Sequence, residues 1–200
     1  MPRTEFSPSI MSRPVYAPLK AQGAAPALML AEAEGADAIL DLAAADPSVM
    51  NRAHLIFIPG GTGFGPRLAA LKARLYHEAP SYAAALERYR KALLDAHMGT
   101  QLYLAGTEGL IGQASAEALA AGLPADAIQA EHRGSLARRM QCVHCKGVTE
   151  GVTTDPFTCS HCGLTLLVRD HFSRRLGAFQ GVCVDAETPG VIPAVKEIKA

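Results

Sequence analysis

Two short motifs, Cys142-Val143-His144-Cys145 and Cys159-Ser160-His161-Cys162, constrain this chain more than any other feature. Each hook brings two thiols to one side of a tight turn, and the pair can set four thiolates at tetrahedral corners, the coordination that zinc takes in structural ribbons. Gly163, directly after the second hook, relieves the turn there. A segment that fits around such a site is too small for a core of its own, so bound metal would supply its folding free energy. Zinc is the expected ion, with Cys142, Cys145, Cys159 and Cys162 as ligands. Iron in a rubredoxin-like site would use the same four sulfurs and carry electrons, although the hooks lack the proline and repeated glycines of such sites. Four thiolates complete a shell, so His144 and His161 are expected to point outward. The fifth cysteine, Cys183 in Gly-Val-Cys-Val, reads as a core thiol on a strand.

The chain before the hooks has no cysteine and uses different residues. From Ala24 to about Gln129 it is rich in Ala and Leu, and short apolar runs alternate with helical patterns. Strands are expected at 27–31, 54–58, 102–105 and 127–130, and helices at 37–45, 66–77, 82–97 and 108–121. Strands separated by helices imply a parallel sheet with crossover connections. The expected fold class is therefore α/β, a reduced Rossmann-like parallel-sheet domain at 24–133 followed by a zinc-ribbon module at 134–184 with a short helix and strand after the ribbon. Residues 1–23, with Pro2, Pro8, Pro14 and Pro18, read as an extended arm, and residues 185–200 as a tail.

Composition excludes several functions. Hydrophobic residues make up 49% and charged residues 19%, which supplies a core and rules out disorder for most of the chain. Lys plus Arg and Asp plus Glu both number 19, so the positive field that nucleic acid or an anionic membrane would need is missing. No apolar stretch approaches the roughly 20 residues that span a bilayer. Residues 1–20 carry Pro, Ser and Arg where a leader peptide would be apolar, so a cytoplasmic location is expected, and there disulfides would be reduced.

Two strand-to-helix turns carry glycines that would let a backbone approach a phosphate. One is Pro59-Gly60-Gly61-Thr62-Gly63-Phe64-Gly65-Pro66 and the other Ala105-Gly106-Thr107-Glu108. Taken singly, such glycines serve equally as tight βα turns. Together they resemble the pyrophosphate and nicotinamide turns of the ferredoxin reductase family, and the resemblance marks Gly60, Gly61, Thr62, Gly63 and Gly106 as nucleotide-binding candidates. Ala105, Thr107 and Leu110 depart from the Cys, Pro and Met of that family's second turn. The flavin barrel that should precede the domain is absent, so a complete flavin reductase is ruled out.

After the ribbon, Val168 to Phe179 concentrates Arg169, His171, Arg174 and Arg175. Asp170 could cap a short helix there, with His171, Arg174 and Arg175 within one turn of each other, suited to an acidic partner face.

The combination of a shortened reductase-like domain, two cysteine hooks, the run Arg-Asp-His-Phe-Ser-Arg-Arg-Leu and the tail Asp-Ala-Glu-Thr-Pro-Gly resembles the small, or gamma, subunit of bacterial dimethylamine monooxygenase. The resemblance implies an accessory subunit of an NADPH- and oxygen-dependent complex that demethylates dimethylamine to methylamine and formaldehyde. It further implies that haem sits in an oxygenase partner, and flavin and a [2Fe-2S] cluster in a reductase partner, with no catalytic residue in this chain. Rival readings are a stand-alone nicotinamide-nucleotide oxidoreductase and a rubredoxin-like electron-transfer subunit. A zinc-ribbon nucleic-acid adaptor is disfavoured by the neutral charge.

Overall fold

Alternation in β1 (Ala27–Glu32) sets the architecture: Met29 and Ala31 point to one face, Leu28 and Leu30 to the other, and all are buried. A strand buried on both faces needs helices on both sides. The computed structural model describes residues 4, 6, 10–61, 63–186 and 189–199. Sheet A is wholly parallel, in the order β3-β2-β1-β4-β5, with β2 at Ala53–Ile58, β3 at Leu75–Glu78, β4 at Gln101–Gly106 and β5 at Ile128–His132. Helix α1 (Gly35–Ala45) covers one face, where Ile39 and Leu42 pack on Met29, Leu55 and Phe57. On the other face α3 (Tyr82–Leu94) and α4 (Glu108–Ala120) bury Tyr89, Ile111 and Ala114 against Leu30, Ile56 and Leu104. The Tyr89 hydroxyl donates to the Ala114 carbonyl at 2.9 Å, so the phenol enters the core satisfied. Ser81 caps α3 through Ala84 N–H, and Thr107 caps α4 through Leu110 N–H.

One expected helix is replaced. The spacing of Leu68, Leu71 and Leu75 suggests helix through 66–77, but α2 spans only Gly65–Ala69 and the chain then leaves helical geometry, with Lys72 at φ 52°. Residues Leu75–Glu78 instead pair with β2, Tyr76 beside Leu55, as an edge strand. Backbone pairing to a ready sheet edge outweighs a weak local helical pattern here.

Sheet B has the order β7-β6-β11-β10-β9, from β6 (Arg138–Cys142), β7 (Val148–Val152), β9 (Phe157–Thr158), β10 (Thr165–Ser173) and β11 (Ala178–Cys183). All its pairings are antiparallel except β6 with β11. The chain is thus a Rossmann-like α/β domain followed by a small zinc-ribbon-like module. The short helix expected near Asp170 is not formed: residues 165–173 continue as one strand, bulged between Arg169 and Phe172, and Arg174 and Arg175 lie in the turn to β11. Leu166, Val168 and Phe172 anchor that strand on the sheet B core, and the period of two wins over the local cap signal. At the end of the tail, β12 (Lys196–Glu197) pairs with β8 (Thr154–Asp155), and Ile198 beside it is buried.

The two sheets are joined by an ionic core. Glu108, the first residue of α4, takes two contacts from Arg13 Nη1, at 2.8 and 3.1 Å, and a hydrogen bond from the Tyr16 hydroxyl at 3.0 Å. Arg138 of β6 approaches it through Nε at 3.2 Å and reaches Asp170 through Nη1 at 2.9 Å. Both guanidiniums lie near the Phe179 ring, 4.9 Å for Arg13 and 4.8 Å for Arg138. The side chains of Arg13 and Glu108 are only 2% and 1% exposed, so Arg13 reaches from the arm into the joint between the sheets, while Met11 and Val15 beside it stay exposed. Gly112 of α4 meets Gly177 of the β10–β11 turn backbone to backbone; a Cβ on Gly112 would come 2.6 Å from the Gly177 oxygen.

Candidate metal centre and glycine turns

Both hooks are built alike. In the β6–β7 turn, Cys142 N–H donates to Gly147 O at 2.9 Å and Lys146 N–H to Cys142 O at 3.0 Å. In the β9–β10 turn, Cys159 N–H donates to Leu164 O at 2.9 Å and Gly163 N–H to Cys159 O at 3.0 Å. Gly163 at φ 75° matches its expected role, and Lys146 at φ 63° takes the equivalent place in the first turn. The turns bring the four sulfurs within 4.8 Å of one another, with Cys142 Sγ 3.8 Å from Cys162 Sγ and Cys145 Sγ 3.7 Å from Cys159 Sγ. Four ligands about 2.3 Å from a central zinc would have sulfurs about 3.8 Å apart, so the cluster can hold a tetrahedral metal ion.

Electrostatics favours a cation there. Burial alone would raise the Cys159 thiol, but N–H groups of Cys162 and His161 and the neighbouring thiols pull it down to about 6. At Cys162 the Leu164 N–H acts in the lowering direction, yet burial and the other three sulfurs push the thiol up to about 12. Cys159 ionises readily while Cys162 resists, a conflict that a divalent ion removes. His144 is exposed. His161 is exposed too, but it also ties the two turns together, its Nε2 lying 2.9 Å from Val148 O. Cys183 is partly buried against the sheet B core.

The glycine turns lie on the carboxyl edge of sheet A, on strands β2 and β4 that flank β1. Gly60, Gly61 and Gly63 are exposed, Gly60 and Gly61 with φ of 58° and 80°, while Thr62 lies outside the described residues. Gly106 is buried at φ 146°, and a Cβ there would come 2.7 Å from Glu32 Cγ. Gly106 therefore has a packing reason, and a Cβ on Gly60 would come 3.0 Å from Ala33 Cβ, whereas a Cβ on Gly61 or Gly63 would meet nothing within 4 Å. Glu32 reaches across from β1 and accepts from the Thr107 amide, at 3.2 Å, and from the Thr107 hydroxyl. A Cβ on Gly65 would collide with the Glu78 carboxylate. Beside the first turn the Arg67 guanidinium lies 3.7 Å from Asp37 and 5.3 Å from the Phe64 ring centroid.

The cluster of Arg13, Glu108, Arg138 and Asp170 carried no signal in the sequence. Its members come from the arm, a helix start and two strands, and Glu108 by itself resembles any acidic residue in a first helical turn. His132, at the end of β5, closes the same region. Its ring centroid is 5.0 Å from that of Phe6 and 6.0 Å from that of Tyr16. Nε2 faces the Ser135 carbonyl at 3.1 Å, which places the proton on Nε2 and leaves Nδ1 buried without a partner. Burial holds this imidazole below its ordinary pKa. The unfolded chain then binds the extra proton first, so stability falls as pH drops through the ordinary histidine range and is restored above it. The thermal midpoint is expected to fall by a few degrees between about pH 7 and about pH 5.5, and His132→Gln to abolish part of that fall. An unchanged slope in the variant would remove His132 from the account.

A family profile described as dimethylamine monooxygenase subunit DmmA-like, N-terminal domain, matches residues 8–128, and the corresponding C-terminal domain profile matches residues 139–182. The chain belongs to the DmmA-like family. It is 41% identical over 128 residues to the heme-dependent oxidative N-demethylase delta subunit of Ectopseudomonas mendocina (strain ymp), an overlap of 61% of this chain and 73% of that protein. The two DmmA-like matches cover most of the arm, strands β1 to β4 of sheet A, both cysteine turns and most of β11. Among the described residues, no helix of this DmmA-like chain is long and apolar enough to cross a membrane, and the four cysteines are the only group of His, Cys, Asp or Glu placed to hold a metal.

Proposed function

We propose that this DmmA-like chain is a non-catalytic accessory subunit of a multicomponent NADPH- and oxygen-dependent dimethylamine monooxygenase, which demethylates dimethylamine to methylamine and formaldehyde. In this reading it organises a haem-bearing oxygenase subunit and a reductase subunit carrying flavin and a [2Fe-2S] cluster. Its own metal is a structural zinc on Cys142, Cys145, Cys159 and Cys162, with Gly60, Gly61, Thr62, Gly63 and Gly106 kept as scaffold rather than as a nucleotide site. The family membership supports the complex, and the acidic carboxyl edge around Glu32 and Glu78 supports the scaffold reading, because a pyrophosphate would meet carboxylates.

The observation that carries an organising role is the β10–β11 turn. Arg174 and Arg175 are exposed at its tip, and among the described residues no carboxylate lies within ion-pair distance of either. The turn is held rigidly from beneath by the Gly112–Gly177 contact and by Arg139 Nη1 donating to Leu176 O at 3.2 Å. Unpaired arginines on a fixed platform suit an acidic partner face. Arg174→Glu together with Arg175→Glu is expected to release the chain from the oxygenase and reductase subunits on gel filtration, with metal content and circular dichroism unchanged. A complex that survives this double reversal would reject the turn as the contact.

A further inference from the structure

At the amino-terminal edge of sheet A, opposite the glycine turns, the chain forms a cavity of about 370 Å³. Its floor is the start of β1 and β2, with Ala27, Leu28 and Ala53, and its walls come from the segments entering β2 and β3 and from the last turns of α3. These walls converge four permanent cations, Arg52, Arg74, Arg88 and Lys91, around His54. The single carboxylate in the lining, Asp95, lies 3.5 Å from Lys91. Arg52 is held in place, Nη1 donating to Ser48 O at 3.1 Å and Nη2 to Gly23 O at 2.6 Å, and its Nε is buried without a partner.

Most arginines outside the cup differ, although Arg169, Arg174 and Arg175 in and after β10 share its lack of a carboxylate within ion-pair distance among the described residues. Arg13, Arg67, Arg90, Arg133, Arg138 and Arg139 each lie beside a carboxylate. Among the described residues no carboxylate comes within ion-pair distance of Arg52, Arg74 or Arg88, in a chain whose net charge is zero. His54 reports the resulting field: burial, then Arg88 and His77, hold its imidazole below the ordinary value, so near neutrality it offers a hydrogen bond without adding charge. Cations gathered around a concavity repel one another, and a multivalent oxyanion offsets that repulsion. The guanidinium fork matches phosphate oxygens, and the apolar surface of Leu28, Leu75 and Ala92 leaves room for a small uncharged remainder.

We propose that this cup binds a small phosphoryl anion, with Arg74 and Arg88 gripping its oxygens and Arg52 and His54 behind them. The phosphoryl group comes either as free phosphate or diphosphate, or as the diphosphate of a nucleotide bound by its charged end. The site is independent of the subunit assignment above, and it lies on the edge of the sheet away from the glycine turns.

Isothermal titration of the full metal-loaded chain with inorganic phosphate, pyrophosphate and ADP tests it. Pyrophosphate is expected to bind saturably, more weakly at about 150 mM than at about 20 mM salt. Arg74→Glu with Arg88→Glu should weaken that binding at least about tenfold, as should the milder Arg74→Gln with Arg88→Gln, since both side chains are exposed and leave the fold intact. Arg67→Glu, beside the glycine turns, should leave it unchanged. ADP binding more tightly than pyrophosphate supports the nucleotide source, and equal affinities support the free anion. The proposal is overturned if none of the three anions binds, if binding survives both double variants, or if Arg67→Glu abolishes it and so moves the anion to the glycine turns.

Discussion

Cys145→Ser is expected to empty the metal site and unfold sheet B while sheet A keeps its helices. Zinc binding to small ribbons is worth about 10–16 kcal/mol, which equals or exceeds the whole stability of a typical domain at about 5–15 kcal/mol. Sheet B has little to set against that loss, since its core cluster buries Met140, Val152, Phe157, Leu166 and Phe179 with Ile198 from the tail, and Cys142 and Cys159 sit among them. Cys145 is a stringent choice because its sulfur is 3.7 Å from Cys159 and accepts from Gly147 N–H at 3.4 Å, so both turns lose their common anchor. The native chain should be colourless with about one zinc, and the variant metal-free, with sheet B amides exchanging freely in hydrogen–deuterium exchange while those of β1, β2 and β4 stay protected. A reddish, iron-loaded chain would revive the rubredoxin-like reading. Retention of sheet B protection without metal would show that the cluster is dispensable for folding.

Legibility in the sequence followed locality. The hooks were readable because a Cys-x-x-Cys turn carries its geometry within four residues, and so were the ends of β1, β2 and β4, where Val-free runs of Leu, Ile and Ala are bounded by Gly or Pro. The region from Lys72 to Glu78 misled because Leu75 fits a helical period, whereas its fate as a strand depends on the open edge of β2, which no local pattern records. Asp170 misled for the same reason: a cap signal in a short polar run has no weight against a strand whose Leu166 and Phe172 are already committed to a core. The glycine turns are legible in the sequence, but the side chains that pack against them are not. Glu32 reaches Thr107 across 75 positions of sequence, and only the parallel register of β1 and β4 brings them together. Arg13 and Glu108, separated by 95 positions, belong to the same class.

That last pair sets the largest effect expected away from the metal. Glu108→Ala removes the carboxylate that faces Arg13 Nη1, Arg138 Nε and the Tyr16 hydroxyl, and leaves two buried guanidiniums with Asp170, which is 30% exposed, as their remaining anion. Breaking a buried ion pair from one side costs about 3–5 kcal/mol, because the stranded charge keeps its desolvation penalty. Urea denaturation should register a loss of that size, and amide exchange should rise first in residues 10–20 of the arm and along β6, where the joint is made. Burial and the Glu108 carboxylate hold the Tyr16 phenol well above its ordinary range, so it stays a donor and cannot replace the lost charge. The decisive comparison is the triple variant Arg13→Met, Glu108→Leu, Arg138→Met. Apolar side chains of similar volume around Phe179 should recover most of the loss, since a buried ionic cluster and a well-packed apolar one are often equal in stability. If the triple variant is stable but no longer assembles with its partner subunits, the ions serve to fix how sheet B and its Arg174–Arg175 turn are held on α4. A Glu108→Ala loss below about 1 kcal/mol would instead mean that water reaches the joint and that the arm is only loosely held.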